Sequence, residues 1–151
     1  MSDKSTSELG NILKSMKPNE IGVYLKENKS ELKDDKRAFY DYFKETLARK
    51  RIMLKDVYSF AGVSDSWGGQ IIRMESHSNE RDTIIRLCLA GHFDLKEFDR
   101  ALRLYGMNPL DPRSSRDSCL IVAINNRIFR LDQVDDLLSS QGFEILSKEI
   151  E

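Results

Sequence analysis

The chain is poor in cysteine, proline and glycine, with two, three and eight in 151 residues. Cys88 and Cys119 lie far apart in sequence, lack CxxC spacing and sit within apolar runs. We therefore expect two buried free thiols, with no disulfide and no zinc site. Because few residues break helices and 32% are charged, the composition is typical of packed amphipathic helices.

Long apolar runs are also absent. No run approaches the ~18 residues that a membrane span needs, and the first ten residues lack the apolar stretch of a secretory signal. We therefore expect a cytoplasmic protein without a membrane partner. Strand-like alternation is not sustained; residues 120–124 would suit a buried strand by composition, but their match to the helix predicted from Asp82 favours a helix.

Residue patterns for catalysis and metal binding are missing as well. His77 and His92 have no second histidine or cysteine at metal-ligand spacing, so a surface role is favoured for both. The sequence contains no GxSxG motif and no GxxxxGK[ST] phosphate loop. We expect a protein that is not an enzyme and that uses no cofactor and no metal ion.

Net charge is −1 and unevenly distributed. Counting Lys and Arg against Asp and Glu gives −1 for residues 1–35, +2 for residues 36–80 and −2 for residues 81–151. The middle third is the only net-basic part, yet its field is weaker than that of a typical nucleic-acid-binding domain.

Helical periodicity predicts three parts: a helical arm over residues 1–35, a domain over 36–110 and a helical hairpin over 111–151, packed on the same core. In the arm, Ser5 and Glu8 have capping-box spacing ahead of an apolar stripe. The stripe consists of Leu9, Ile12, Leu13 and Met16.

An internal repeat with an offset of about 35 residues follows the middle third. Arg81-Asp82 begins one copy and Arg116-Asp117 the other, and each copy predicts an apolar helix, a turn and a second helix that ends before a glycine. We interpret the aspartates as helix caps and the arginines as locally paired. A fragment of an α-solenoid is the alternative, although solenoids normally need about three repeats.

Residues 54–74 predict a helix, a tight glycine turn and a second helix. The turn sequence Ala61-Gly62-Val63-Ser64, Ile71 on the second helix and the following run 79–87 resemble the helix-turn-helix of the Cro/cI-like (Xre) repressor family. The resemblance extends through Leu110 and covers about half of the chain. It implies an all-α, phage-repressor-like five-helix domain and a DNA-binding transcriptional regulator.

The turn and its packing follow from the motif. A left-handed Gly62 lets the two helices meet steeply, and Val63 and Ile71 pack the junction, so the second helix can enter a major groove. Two residues depart from the family, which usually has a small residue in place of Tyr58 and a branched aliphatic in place of Gly68. These positions face each other in the motif, so the exchange could conserve volume.

The resemblance implies DNA contacts on the second helix and on its surroundings. On that helix the expected contacts are Ser64, Ser66, Gln70 and Arg73, with Gln70 suited to adenine and Arg73 to guanine or phosphate. Backbone contacts are expected from four cations outside the helix: Arg49, Arg51, Lys55 and Arg81. A homodimer would fit, because two half-sites multiply modest affinity.

The charge of this segment favours a different class of function. Asp65 and Glu75 oppose phosphate, and affinity for DNA comes largely from phosphate neutralisation. The alternative is an adaptor that keeps the helix-turn-helix fold without DNA affinity. Such an adaptor would bind a protein partner through the N-terminal arm or the 116–142 hairpin. Trp67 is expected in the core or at an interface.

Overall fold

The computed structural model describes residues 4–28 and 37–147, and all regular secondary structure in these ranges is helical. The prediction of an all-α protein is therefore confirmed. The predicted boundary between arm and central domain, at residues 35 and 36, lies outside the described ranges. No helix in the described part of the chain is long and apolar enough to cross a membrane.

The helices are short, and turns of a few residues join most of them. In chain order they are α1 (Thr6–Lys14), a 3-10 turn (Pro18–Glu20), α2 (Ile21–Glu27), α3 (Ala38–Lys50), α4 (Leu54–Ala61), α5 (Asp65–Ile72), α6 (Arg81–Ala90), α7 (Leu95–Leu104), α8 (Ser115–Asn125) and α9 (Leu131–Ser140).

One apolar core runs through α3 to α9. Helix α6 lies at its centre, since every residue from Thr83 to Ala90 is buried, as the all-round apolar pattern of this helix predicts. The core continues into the C-terminal hairpin through Leu120, Val134 and Leu138. The 111–147 segment is therefore packed against the same core as the central helices.

The predicted repeat is present in the backbone. Hairpins α6–α7 and α8–α9 each turn through a left-handed residue, His92 and Arg127, both with φ of 56°. Each hairpin ends at a left-handed glycine, Gly106 or Gly142, with φ of 86° and 80°. The matching of turn positions as well as helices makes the two hairpins copies of one unit.

Each copy also has a carboxylate on its second helix that binds the segment following the hairpin. The carboxylate of Asp99 accepts a hydrogen bond from the N–H of Leu110 at 3.2 Å, and that of Asp135 accepts one from the N–H of Leu146 at 2.8 Å. Burial raises the pKa of Asp99, and this hydrogen bond acts in the opposite direction.

The copies contact each other through reciprocal ion pairs. Arg81 donates two hydrogen bonds to the carboxylate of Asp117, both 2.9 Å long, and Arg116 donates two to that of Asp82, again 2.9 Å long. The prediction of local pairing is therefore wrong. The capping interpretation is wrong too, because the N-cap residues are Glu80 and Ser114.

Each arginine also donates to backbone carbonyls of its own copy. Arg81 donates to the carbonyls of Asn108 and Pro109, and Arg116 donates to that of Glu144. An arginine of each copy thus binds the aspartate of the other, which is the reciprocity of a two-fold axis. Solenoid repeats stack head to tail, so this arrangement argues against a solenoid fragment.

Candidate nucleic-acid interface

The corner between α4 and α5 is built from three consecutive residues. Gly62 ends α4 in the left-handed region, with φ of 74°, where a side chain would be strained. The side chain of Val63 is buried in the core. Ser64 then begins α5, because its hydroxyl accepts a hydrogen bond from the N–H of Trp67 at 3.1 Å.

Arg86 supports this corner from α6, a role that none of the sequence motifs predicts. Its side chain is 1% exposed, and its guanidinium donates to the carbonyl of Ala61 at 3.1 Å and to the hydroxyl of Thr83 at 3.2 Å. A cation suits the carbonyl end of α4 because of the helix dipole. The available signal was a single charged residue within the apolar run 84–89.

Tyr58 and Gly68 meet between α4 and α5. A Cβ built on Gly68 would lie 2.5 Å from Cδ1 of Tyr58, so the ring occupies the space that any other residue would need. Burial raises the pKa of Tyr58, whereas nearby Arg73 lowers it. The ring of Tyr58 therefore packs on Gly68, and its phenol is close enough to Arg73 to interact with it electrostatically.

Helix α5 has one buried side and one open polar side. Ile71 and Ile72 are buried, and Trp67 is half-buried against the core. The side chains of Asp65 and Ser66 are exposed, as is Arg73 at the end of the helix. The open side is therefore polar along its length.

Arg73 lies folded over α5 and is paired with Glu75. Its Nε and Nη2 donate to the Glu75 carboxylate at 2.8 and 3.2 Å. A Cβ built on Gly69 would lie 2.9 Å from Nη1 of Arg73, so Gly69 leaves room for the guanidinium. The hydrogen bond to Glu75 raises the pKa of Arg73, and the same bond lowers the pKa of Glu75.

Gln70 is held at the centre of the open side. Its side-chain oxygen accepts a hydrogen bond from the hydroxyl of Ser76 at 3.0 Å, and its Nε2 lies 3.5 Å from the hydroxyl of Ser66. The amide is thus oriented before any ligand arrives, and its NH₂ group is directed toward Ser66.

Three of the four expected backbone cations lie together at the junction of α3 and α4. The side chain of Arg49 is 64% exposed, Arg51 ends α3 with φ of 58°, and Lys55 is exposed in the first turn of α4. Helix α3 contacts α5 directly. Nη2 of Arg49 also lies 3.7 Å from the carboxylate of Glu97, so part of its charge is neutralised, and Arg51 and Lys55 add positive charge beside the helix pair.

Arg81 does not belong to this group. Its guanidinium donates to Asp117 and to two carbonyls, and these four hydrogen bonds hold it in the contact between the two repeats. Its donors are therefore directed into the contact between the two repeats and away from the face of α5.

Thiols and imidazoles lie elsewhere. Cys88 is fully buried as predicted, but Cys119 is partly exposed, so the prediction of two buried thiols is wrong for Cys119. His77 stacks on Tyr105 and His92 on Phe129, and both histidines are exposed. Among the residues described, no three His, Cys, Asp or Glu side chains are grouped to hold a metal ion.

Comparison with models of protein families, with curated proteins and with solved structures finds no match for this chain.

Proposed function

We propose that this chain is a non-enzymatic, DNA-binding transcriptional regulator of the Xre helix-turn-helix type, with α3 to α7 as its five-helix repressor-like domain. The observation that supports this most is the open polar side of α5, presented behind a left-handed glycine corner. Short polar side chains on a projecting helix are what a major groove admits.

In this proposal α5 enters the groove and reads bases. Ser66, Gln70 and Arg73 face the base edges, with Gln70 suited to adenine and Arg73 to guanine. The free N–H groups at the start of α5, beside Ser64, face a phosphate. Arg49, Arg51 and Lys55 fix the position of the domain through neighbouring phosphates.

Glu75 sets the strength of the interaction. In the free protein the carboxylate of Glu75 neutralises Arg73. DNA must break this pair and must also accept a carboxylate near its phosphates, and both effects lower affinity. The proposed regulator therefore binds duplex weakly unless two domains act together, which favours a homodimer on two half-sites.

The experiment is a fluorescence-anisotropy titration of the full chain with random-sequence duplex at low salt. Binding is expected at about 10 μM or tighter and should fall steeply as salt rises. Absence of binding at that concentration would end the DNA proposal. The R73A variant should bind more weakly, whereas R130A should not, because Arg130–Asp132 is an ion pair of the same spacing at the start of α9 and not at α5.

A second pair of variants tests the role of the carboxylate. E75Q frees Arg73 and removes a negative charge, so its affinity for duplex should rise severalfold. The matched change D132N, at the exposed Arg130–Asp132 pair, should leave affinity unchanged. Equal effects of both changes would mean that overall charge, not the α5 face, determines binding.

A protein-interaction adaptor is the second candidate. Two large apolar side chains face solvent at the helix pair: Met53, the N-cap residue of α4, is 59% exposed, and Phe60 on α4 is 68% exposed. Such residues are typical of surfaces that bind other proteins. Two results together would favour this function: no binding in the duplex titration, and loss of a bound protein partner in the Phe60→Ser variant. The arm and the 116–142 hairpin would then be further contact surfaces.

A further inference from the structure

Comparison of the two repeats identifies a helix face that no other helix packs against in the described part of the chain, the outer face of α8. By the matching of their turns, α8 corresponds to α6 with a shift of 35 residues, so Leu87 corresponds to Val122 and Ile84 to Cys119. Residues that face the centre of each hairpin are buried in both copies, as Ile85 and Leu120 are, both 0% exposed. The copies differ on the outer face of the first helix.

In the first copy this outer face is covered by a helix. Helix α4 packs along α6, and Leu87 is 0% exposed there. In the second copy the equivalent Val122 is 55% exposed, and Cys119 and Ile121 are half-buried. The outer face of the repeat unit is therefore covered by a helix in the first copy and open in the second.

The open face of α8 is uncharged. From Ser118 to Asn126 the chain carries no charged residue, although 32% of the whole chain is charged. The charged residues of the first turn, Arg116 and Asp117, are bound to Asp82 and Arg81 of the other copy. Along residues 118–126, two identical α8 faces can therefore meet without like-charge repulsion.

We propose that two copies of this chain form a dimer through the open faces of α8, each helix covering the other as α4 covers α6. In an antiparallel, two-fold contact, Val122 of one copy packs beside Cys119 of the second, so a larger side chain meets a smaller one. This proposal does not depend on DNA binding.

The size of the face sets the expected affinity. Helix α8 has 11 residues and is about 16 Å long, so the contact falls at the small end of specific interfaces. We expect a dissociation constant in the micromolar range. Sedimentation equilibrium between about 10 and about 300 μM should therefore follow a monomer–dimer equilibrium.

The decisive variant is V122K, which places a cation at the centre of the face. It should abolish the dimer while the circular dichroism and Tm remain those of the unchanged chain, because Val122 is largely in solvent. The matched control is M53K, since Met53 is similarly exposed at 59% but lies away from α8, as the N-cap residue of α4. M53K should dimerise like the unchanged chain.

A cross-linking measurement needs no change at Val122. Helices in contact lie about 8–10 Å apart, so over a long reaction a short bis-maleimide should join the two Cys119 thiols of a reduced dimer, even though the partner slows the reaction of each thiol. The cross-link should disappear in C119S, and buried Cys88 should not replace it. A chain that stays monomeric at about 300 μM, a dimer that survives V122K, or one that also fails in M53K would each overturn the proposal.

Discussion

The ring of Tyr58 occupies the place that a Cβ at position 68 would take, with 2.5 Å between that Cβ and Cδ1 of Tyr58. The space between the two helices is thus filled by the side chain of Tyr58 on α4, and Gly68 on α5 contributes no side chain to it. The close approach depends on both residues, so each substitution should act through the other.

The first prediction concerns this pair. G68A should lower the free energy of unfolding by about 1 kcal/mol, because the clash with Tyr58 outweighs the ~1 kcal/mol that alanine gains over glycine in a helix. In a Y58A background the same change should be neutral or stabilising. Urea denaturation of the four proteins measures the coupling.

The control for that cycle lies in α1. Gly10 is also within a helix, and a Cβ built there would meet no described atom within 4 Å. G10A should therefore not destabilise the chain. If G10A and G68A had the same effect, helix propensity and not the Tyr58 contact would explain both.

The sequence predicted the helix pair better than the contacts between repeats. The turn residues Gly62 and Ser64 act through local backbone geometry and capping, which short-range patterns specify. The repeat was also visible, because its helices share one pattern of apolar residues. The partners of Arg81 and Arg116 were not, since pairing across 34 or 36 residues depends on how two hairpins pack.

Cys119 and Arg86 illustrate the same limit. An apolar run around Cys119 indicates a buried helix, yet burial depends on whether another element covers that side. The run around Arg86 indicates a buried helix too, but nothing local indicates that a carbonyl of α4 receives the guanidinium. Local sequence specifies the helices, and long-range packing determines which helix faces are covered and which charged groups find a partner.

The second prediction concerns Arg86. R86M keeps much of the side-chain volume but leaves the carbonyl of Ala61 without this donor, so the free energy of unfolding should fall by about 1.5–3 kcal/mol. The loss should be measured by urea denaturation. R103M is the control, because Arg103 lies exposed on α7, and it should change stability by less than about 0.5 kcal/mol. A loss in R86M no larger than in R103M would contradict the role given to Arg86.

The third prediction concerns the contact between repeats. Burial acts to raise the pKa of Asp117, but hydrogen bonds from Arg81 and from the N–H of Asp111 outweigh it, so the pKa is lowered from its usual value of 3.8. A carboxyl whose pKa is lowered by folding stabilises the protein above its unfolded-state pKa and loses that contribution as pH falls through the folded-state value. Acid should therefore weaken the contact between the hairpins.

Urea denaturation between about pH 6 and about pH 2.5 tests this expectation. D117N should be less stable than the unchanged chain near neutral pH, and the difference should shrink as the pH falls below about 4. D132N is the control, because Asp132 is 63% exposed in its pair with Arg130, and exposed pairs contribute little. A D117N deficit that stayed constant with pH would show that packing, not charge, is lost.

The fourth prediction distinguishes the two thiols. Burial raises the pKa of Cys88, with nearby Glu97 acting in the same direction, so this thiol should remain protonated and unreactive in the folded chain. Cys119 is partly exposed on the open face of α8. At low protein concentration, Ellman's reagent should therefore react with one thiol, and the second should react only in denaturant.

As the protein concentration rises into the range of the proposed dimer, the reaction at Cys119 should slow, because the partner covers it. In V122K the rate should not depend on concentration, and a rate that stayed constant in the unchanged chain would mean that α8 remains open.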